Sequence, residues 1–435
     1  MRLVEFSRRP EDTSLQRGET IRLLFDRRLS EEDHSPKISF LPEIDFSAQT
    51  NGQSITITLD DNLQSSTKYS LNIAAGISED GGSSLSSGFS YTFTSAAARL
   101  LYIDRNYPDG YFESPTNVED DVPDNLMLTG LNGEPESIFS HAVISSYAAT
   151  DAYAAVLIED DGSNRIFIVN LDNRNVREVT LPFDGQVRDL SVARRGDRAY
   201  YRIRPDFREV SDEFFALNAN RVEAIDLETS VSSPITNDNG DLLQAFSLQI
   251  DPTGTYALIQ ENSLQYFAIS PFDDFEPVLI GSRSGLYGFS ADGNSVLFRD
   301  NEALSSYDVA SSSSEVIATE TEGFIRSASG TDQGGIVYVA NDSRDGLNQQ
   351  EVRLYKDGTT ELIVSSLDIA QDATIENART SLDGRHVAIE VRPEGCRFDQ
   401  VDAYSVCQGT YNVIYDIQQQ RLSSQLDGFA PTWLP

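Results

Sequence analysis

The chain is poor in the residues from which most active sites are assembled. Its 435 residues hold three histidines (His34, His141 and His386), two cysteines and one tryptophan. No Gly-x-Ser-x-Gly elbow, paired-histidine metal motif or phosphate-binding glycine loop occurs, so no catalytic residue, metal ligand or cofactor is assigned. His386 lies in an apolar segment after Gly384, where a packed or hydrogen-bonded histidine is expected, and His34 and His141 read as turn residues. Basic charge is equally scarce. Against 69 acidic residues stand 33 basic ones, of which only Lys37, Lys68 and Lys356 are lysines, for a net charge of -36. Such a chain repels nucleic acid and anionic lipid at long range. No run approaches the roughly 18 to 20 apolar residues of a membrane span. The opening Met1-Arg2-Leu3-Val4-Glu5-Phe6 reads as a strand rather than a signal peptide. The expectation is either a cytoplasmic protein or an exported one whose signal has been removed.

Acidic clusters are abundant, but Glu159-Asp160-Asp161-Gly162 and Asn237-Asp238-Asn239-Gly240-Asp241 lack the alternating spacing and distal glutamate of a calcium loop. They read as solvated hairpin turns. With 69 acidic residues, a glycosidase-type carboxylate pair is the one enzyme class that these absences leave open.

What recurs instead is a small polar turn ending in glycine, followed at once by an apolar strand. It reads Asp251-Pro252-Thr253-Gly254 before Tyr256-Ala257-Leu258-Ile259, Ser290-Ala291-Asp292-Gly293 before Val296-Leu297-Phe298, and Ser381-Leu382-Asp383-Gly384 before Val387-Ala388-Ile389. Degenerate copies stand at Arg194-Arg195-Gly196 and Asp332-Gln333-Gly334. Spacings of roughly 40 to 60 residues are those of propeller blades, each of which buries its faces only by stacking on its neighbours. From Arg99 onward every apolar run is of strand length. Six units follow: about Val143 to Pro182, Val187 to Thr236, Leu243 to Gly281, Gly285 to Glu320, Ile325 to Ser366 and Ile375 to Gly428. The Ile325 unit has the most degenerate turn and is expected to be the weakest. A seventh blade is split between the ends, joining Phe429-Ala430-Pro431-Thr432-Trp433 to Arg99-Leu100-Leu101-Tyr102-Ile103-Asp104, Asn125 to Thr129 and Glu136 to Phe139. Closure by strands from both ends removes exposed edges.

Residues 1 to 96 have a different grammar. Alternating runs such as Thr20 to Phe25, Ser54 to Leu59, Tyr69 to Ile73 and Phe89 to Phe93 are separated by Gly, Asn, Asp and Ser turns, which predicts a sandwich of short antiparallel strands. The Phe25-Asp26 strand end, the Leu63-Gln64-Ser65-Ser66-Thr67-Lys68-Tyr69 segment, Asp80-Gly81-Gly82 and the closing Phe89-Ser90-Tyr91-Thr92-Phe93-Thr94 resemble the bacterial Ig-like domain of S-layer and other surface proteins. That resemblance implies a spacer or adhesion module at a surface. Residues 97 to 435, through the repeated turn and the final Ala430-Pro431-Thr432-Trp433, resemble WD40-like propellers of the TolB type. Such propellers bind envelope partners, and related ones cap peptidases. No residues remain here to build a hydrolase domain. The fold class expected is therefore all-β, an Ig-like sandwich followed by a seven-bladed propeller.

Cys396 and Cys407 share one loop-like segment, read as a disulfide in preference to two free thiols, and a disulfide implies an oxidising compartment. Inserts between the second and third strands of four blades, Asn106 to Asp124, Pro205 to Arg221, Asp342 to Gln350 and Pro393 to Tyr411, are expected on one face. Their aromatics Tyr107, Tyr111, Phe112, Phe207, Phe214, Phe215, Phe398 and Tyr404 suit a protein or carbohydrate contact, the alternative being that they fold back to cap the blades. The function expected is a non-enzymatic, extracytoplasmic protein-binding propeller with an Ig-like spacer. Its alternatives are a structural subunit of a surface layer or filament that assembles with itself, and a carbohydrate-binding or hydrolytic propeller using channel carboxylates.

Overall fold

The computed structural model describes the chain apart from residues 1, 7–19, 60–62, 66, 96, 106, 108–122, 132, 161–162, 194–195, 238, 262–264, 270–277, 283–284, 301–302, 320–322, 332–333, 343–348, 371–372, 397–406 and 435. It is all-β but for short helical turns, and it divides into two compact units, Met1–Ala98 and Arg99–Pro435.

The first unit has seven strands: β1 (Leu3–Phe6), β2 (Thr20–Phe25), β3 (Ile38–Leu41), β4 (Phe46–Asn51), β5 (Ser54–Leu59), β6 (Lys68–Ile73) and β7 (Phe89–Thr94). They form two antiparallel sheets, β1-β2-β5-β4 and β3-β6-β7. Alternation decides which face is buried. Ile21, Leu23 and Phe25 of β2, Ile55, Ile57 and Leu59 of β5, and Tyr69, Leu71 and Ile73 of β6 enter one core, while the intervening residues face outward. Each such aliphatic side chain contributes roughly 1.5 to 3 kcal/mol on burial. The Leu63 to Tyr69 segment is held by its own polar groups. The Tyr69 hydroxyl accepts from the Gln64 amide at 2.9 Å, and the Ser95 hydroxyl accepts from the Thr67 amide at 2.9 Å and donates to the Gln64 carbonyl.

The second unit consists of seven four-stranded antiparallel sheets, numbered here I to VII in chain order. Sheet I combines Phe429–Trp433, Arg99–Arg105, Asp124–Gly130 and Glu136–His141, so the last strand of the chain pairs with the first of the unit, Trp433 opposite Leu100. Sheets II to VII begin with Ile144–Ala149, Gly185–Val192, Ser247–Ile250, Gly285–Phe289, Gly323–Gly330 and Thr374–Thr380, and each continues as an up-and-down meander. Sheet VI, which holds the degenerate turn at Gly334, is four-stranded like the others. His141 ends a strand rather than lying in a turn, stacked on Phe139.

Second strands are apolar on both faces because a neighbouring sheet covers each. In Tyr153–Asp160, Ala154, Val156 and Ile158 pack with Leu101 and Ile103 of sheet I, whereas Ala155 and Leu157 pack with Val187, Ala199 and Tyr201 of sheet III. Likewise Tyr200 turns from sheet II toward Leu248 and Ile250 of sheet IV. Two-residue periodicity thus alternates neighbours rather than core and solvent. Sheet I meets sheet VII as well: the Trp433 indole Nε1 donates to the Arg379 carbonyl at 2.9 Å, and the Ala430 amide donates to Glu390 at 3.0 Å.

The repeated turn is one structure with one hydrogen-bond pattern. The glycine amides of Gly196, Gly254, Gly293, Gly334 and Gly384 donate to the carbonyls of Ala193, Asp251, Ser290, Thr331 and Ser381 at 2.8 to 3.2 Å. In the two best copies the serine hydroxyl bonds the aspartate two residues on, and also accepts the amide that starts the next strand, Ser295 at 3.0 Å and His386 at 2.9 Å. Gly293 has φ +80, and a Cβ there would stand 2.5 Å from Asp251 Oδ2 of the preceding sheet. Glycine is required both by conformation and by that close approach.

Candidate functional site

The innermost strands converge on a cavity of about 870 Å³. All seven sheets line it, through Ala430, Ala148, Ser191, Gln249, Tyr287, Arg326 and Arg379. Six of these strands carry a register shift against the second strand, between Phe429/Thr432, Ile144/Ser146, Arg188/Ser191, Leu286/Gly288, Ile325/Ser327 and Ile375/Asn377. A bulge leaves its extra residue outside the ladder and re-aims its side chain. In three sheets the extra residue is Tyr287, Arg326 or Glu376, and all three line the cavity. The Tyr287 hydroxyl donates to the Ile325 carbonyl of the next sheet at 2.6 Å, and burial pushes its pKa up to about 12. Tyr147 does the same in the opposite direction, donating to Leu101 at 2.9 Å.

Among the described lining residues the charged ones are Arg326, Arg379, Arg392, Glu376 and Glu390. Glu376 is clamped by Arg326 at 2.7 Å and by Arg392 at 2.6 Å. Glu390 accepts the Ala430 amide, and burial, reinforced by the charge of Glu376, raises its pKa to about 6. Arg379 is half-buried on the cavity wall beside Glu390, and burial lowers its pKa from the ordinary guanidinium value. Among the described residues its guanidinium has no hydrogen-bond or ion-pair partner. The described lining of the cavity therefore holds one more positive than negative side chain in a chain of net charge -36. The channel carboxylates of the hydrolytic alternative correspond to Glu376 and Glu390, the first of which is engaged by two arginines.

His386, expected to be packed, is 5% exposed, tilted against the Trp433 ring at 6.0 Å, with Nε2 3.7 Å from Asp416. Among the described residues no cluster of three or more His, Cys, Asp or Glu suits a metal ion, and no helix is long and apolar enough to cross a membrane. Of the two acidic clusters, the described part of Asn237 to Asp241 is a turn in which the Asn237 side chain accepts the amides of Asn239 and Asp241.

Of the four inserts, Pro205 to Arg221 is the one described throughout. It contains a helix that the sequence reading did not anticipate, α1 (Asp212–Asn218), capped by the Ser211 hydroxyl accepting from the Phe214 amide at 3.2 Å, with Asp212 and Glu213 in its first turn. Phe207 is 61% exposed and Phe214 38%, while Phe215 is half-buried. Phe214 meets Phe183 edge to face at 5.5 Å, Phe215 meets Phe207 at 6.4 Å, and Arg204 and Arg208 lie over Phe215 and Phe207. Leu217, 60% exposed on the same helix, and Phe246, 51% exposed, extend the patch. Gln244 ties the two segments by donating to the carbonyls of Ala216 and Leu217. Leu217 and Phe246 were not singled out from sequence. The signal was available in the capping serine and acidic first turn that announce a helix. Tyr107 is half-buried, and Tyr111, Phe112, Phe398 and Tyr404 lie outside the described residues.

Cys396 and Cys407 form a disulfide with a Cα separation of 5.8 Å. Cys407 is buried and lines the cavity, and its carbonyl accepts from the Thr410 hydroxyl at 2.7 Å.

Residues 4–95 match the family of bacterial Ig-like domains. No curated protein sequence matches the chain. Among solved structures, the chain is similar to TolB from Acinetobacter baumannii, at 14% identity and a TM-score of 0.43 over 86% of this chain and 81% of that one. It is also similar to the beta-propeller domain of Cps50 (Swd1) from Myceliophteria thermophila, at 13% identity and a TM-score of 0.41 over 66% and 89%. A prolyl endopeptidase aligns at 10% identity and a TM-score of 0.45 over 65% of this chain and 42% of its own. The N-terminal unit is a bacterial Ig-like domain, and the unit that follows is of propeller type.

Proposed function

We propose that the chain is a non-enzymatic, extracytoplasmic protein whose seven sheets close into a ring and present a protein-binding rim, with the Ig-like domain as spacer or adhesion module. The observation that carries this reading is the set of exposed apolar side chains Phe207, Phe214, Leu217 and Phe246, two of them, Phe214 and Leu217, carried on a capped helix. Contiguous exposed apolar surface framed by charge is what a partner covers. Ring closure is supported by the pairing of Phe429–Trp433 with Arg99–Arg105 and by the bonds of Trp433 and Ala430 to sheet VII. The extracytoplasmic setting is supported by the disulfide and by the Ig-like domain. Asp206, Glu209, Asp212 and Glu213 lie in the same insert and outnumber Arg204 and Arg208, which stack on Phe215 and Phe207, so a partner with a net basic contact surface fits best.

The test is capture of cross-linked partners from envelope extract by wild type and by the triple variant Phe207→Ser, Phe214→Ser, Leu217→Ser. A partner recovered by wild type, lost in the variant and released by salt supports the rim. Equal recovery by both overturns it. Concentration-dependent self-association in sedimentation, abolished by the same variant, assigns the patch to a second copy of the chain instead.

A further inference from the structure

We propose that the central cavity is the binding site of a small monocarboxylate with an apolar body, received by the guanidinium of Arg379. This rests on the cavity alone and stands or falls independently of the rim. An arginine stays charged in a protein, and a partly desolvated guanidinium without hydrogen-bond partners is costly unless something compensates it. Arg326 and Arg392 have their compensation in Glu376. Arg379 has only the nearby charge of Glu390, with no hydrogen bond or ion pair to its guanidinium among the described residues, and it faces an open cavity of about 870 Å³. The planar fork of a guanidinium matches a carboxylate through two parallel hydrogen bonds.

Charge count fixes the class of ligand. Among the described lining residues, three arginines against two glutamates leave one positive charge, which a monoanion neutralises. A dianion would overshoot and bring its second charge against Glu390. The neighbouring clamp of Glu376 by two arginines shows the same cavity already holding a carboxylate of the chain itself. Walls supplied by Phe289, Phe429, Trp433 and Leu286 suit an apolar or aromatic body. Ser327 Oγ and Asn377 Oδ1, which belong to lining residues of sheets VI and VII, are buried and without partners among the described residues, and they offer a polar substituent on the ligand a hydrogen bond.

Calorimetric titration of the full chain with 3-phenyllactate, acetate, citrate and inorganic phosphate, at constant ionic strength, tests this. The expected result is saturable binding of 3-phenyllactate, weaker binding of acetate, and none of citrate or phosphate. Arg379→Met should weaken 3-phenyllactate at least tenfold while raising the melting temperature of the ligand-free protein, because a partly desolvated charge without hydrogen-bond partners has been removed. Glu390→Gln, which keeps an acceptor for the Ala430 amide, should tighten binding several-fold, and it serves if Arg379→Met does not fold. No binding of any monocarboxylate, affinity within twofold of wild type in Arg379→Met, preference for phosphate, or no tightening in Glu390→Gln would each overturn the proposal.

Discussion

The two units are built from strands of similar length and nearly the same residues, yet they use the two-residue period differently. In β5 of the sandwich, Ile55, Ile57 and Leu59 enter the core and Thr56 and Thr58 face outward, where Thr56 stands between Arg22 and Gln49 of the neighbouring strands. In Tyr153–Asp160 of the propeller unit, both sets of residues are buried, one against sheet I and the other against sheet III. The difference teaches that an alternating strand reports a sheet with one covered face, and a continuous apolar strand reports a sheet enclosed on both.

The comparison breaks most directly with a matched pair of aspartates. Ala155→Asp buries an unpaired carboxylate between sheets II and III and should cost several kcal/mol, abolishing soluble expression, whereas Thr56→Asp beside Arg22 should shift stability by less than about 0.5 kcal/mol. Equal outcomes in denaturant titration would remove the distinction. Trp433→Ala takes away the side chain that joins sheet I to sheet VII, and a loss of about 3 to 5 kcal/mol is expected by calorimetry, with the sandwich transition unmoved. Cys407→Ser opens a loop of 11 residues' separation and should cost about 3 kcal/mol, visible as equal melting of wild type and variant once reductant is added.

A smaller effect sharpens the account of the cavity. Glu390 titrates at about 6, above the usual carboxylate value, so the folded state holds its proton more tightly than the unfolded state does. Stability from this group is present at low pH and is lost as pH rises from about 4.5 through 6. Glu390→Gln should therefore stabilise the protein by up to about 2 kcal/mol at pH 7.5 and by nothing near pH 4, read from denaturant midpoints at the two pH values. Smallest of all, Ser290→Ala removes the hydroxyl that links Asp292 to the Ser295 amide, for a loss of about 1 kcal/mol in the same measurement.

Much of the architecture was legible because it is dictated locally. The serine and aspartate of the two best copies bond backbone groups within five residues, and Gly254, Gly293, Gly334 and Gly384 adopt a positive φ, so the motif announces itself where it is complete. The apolar second strands and the complementary halves of sheet I are visible for the same reason: each breaks a pattern that a single sheet would keep. The cavity was not legible. Arg326 and Glu376 reach it because of bulges, and a bulge is a matter of pairing between strands rather than of residue type. The available hint was the presence of charged residues, Glu376 and Arg379, in a short first strand that otherwise packs Ile375 and Ala378 at full burial. The capped helix Asp212–Asn218 was missed because at seven residues it is too short to establish a helical period, although its cap is explicit.

Trp433 is the only tryptophan in the chain, it is 3% exposed, and it lies at once on the closing strand, on the cavity wall and against His386. The protein consequently carries a built-in optical reporter that is blind to the sandwich. Its emission should be blue-shifted in the native state, move to the red when the last strand detaches, and change in intensity when a molecule fills the space beside it. Detachment of the last strand and occupancy of the cavity can thus be followed in unlabelled protein, at a single wavelength pair, without modifying the chain.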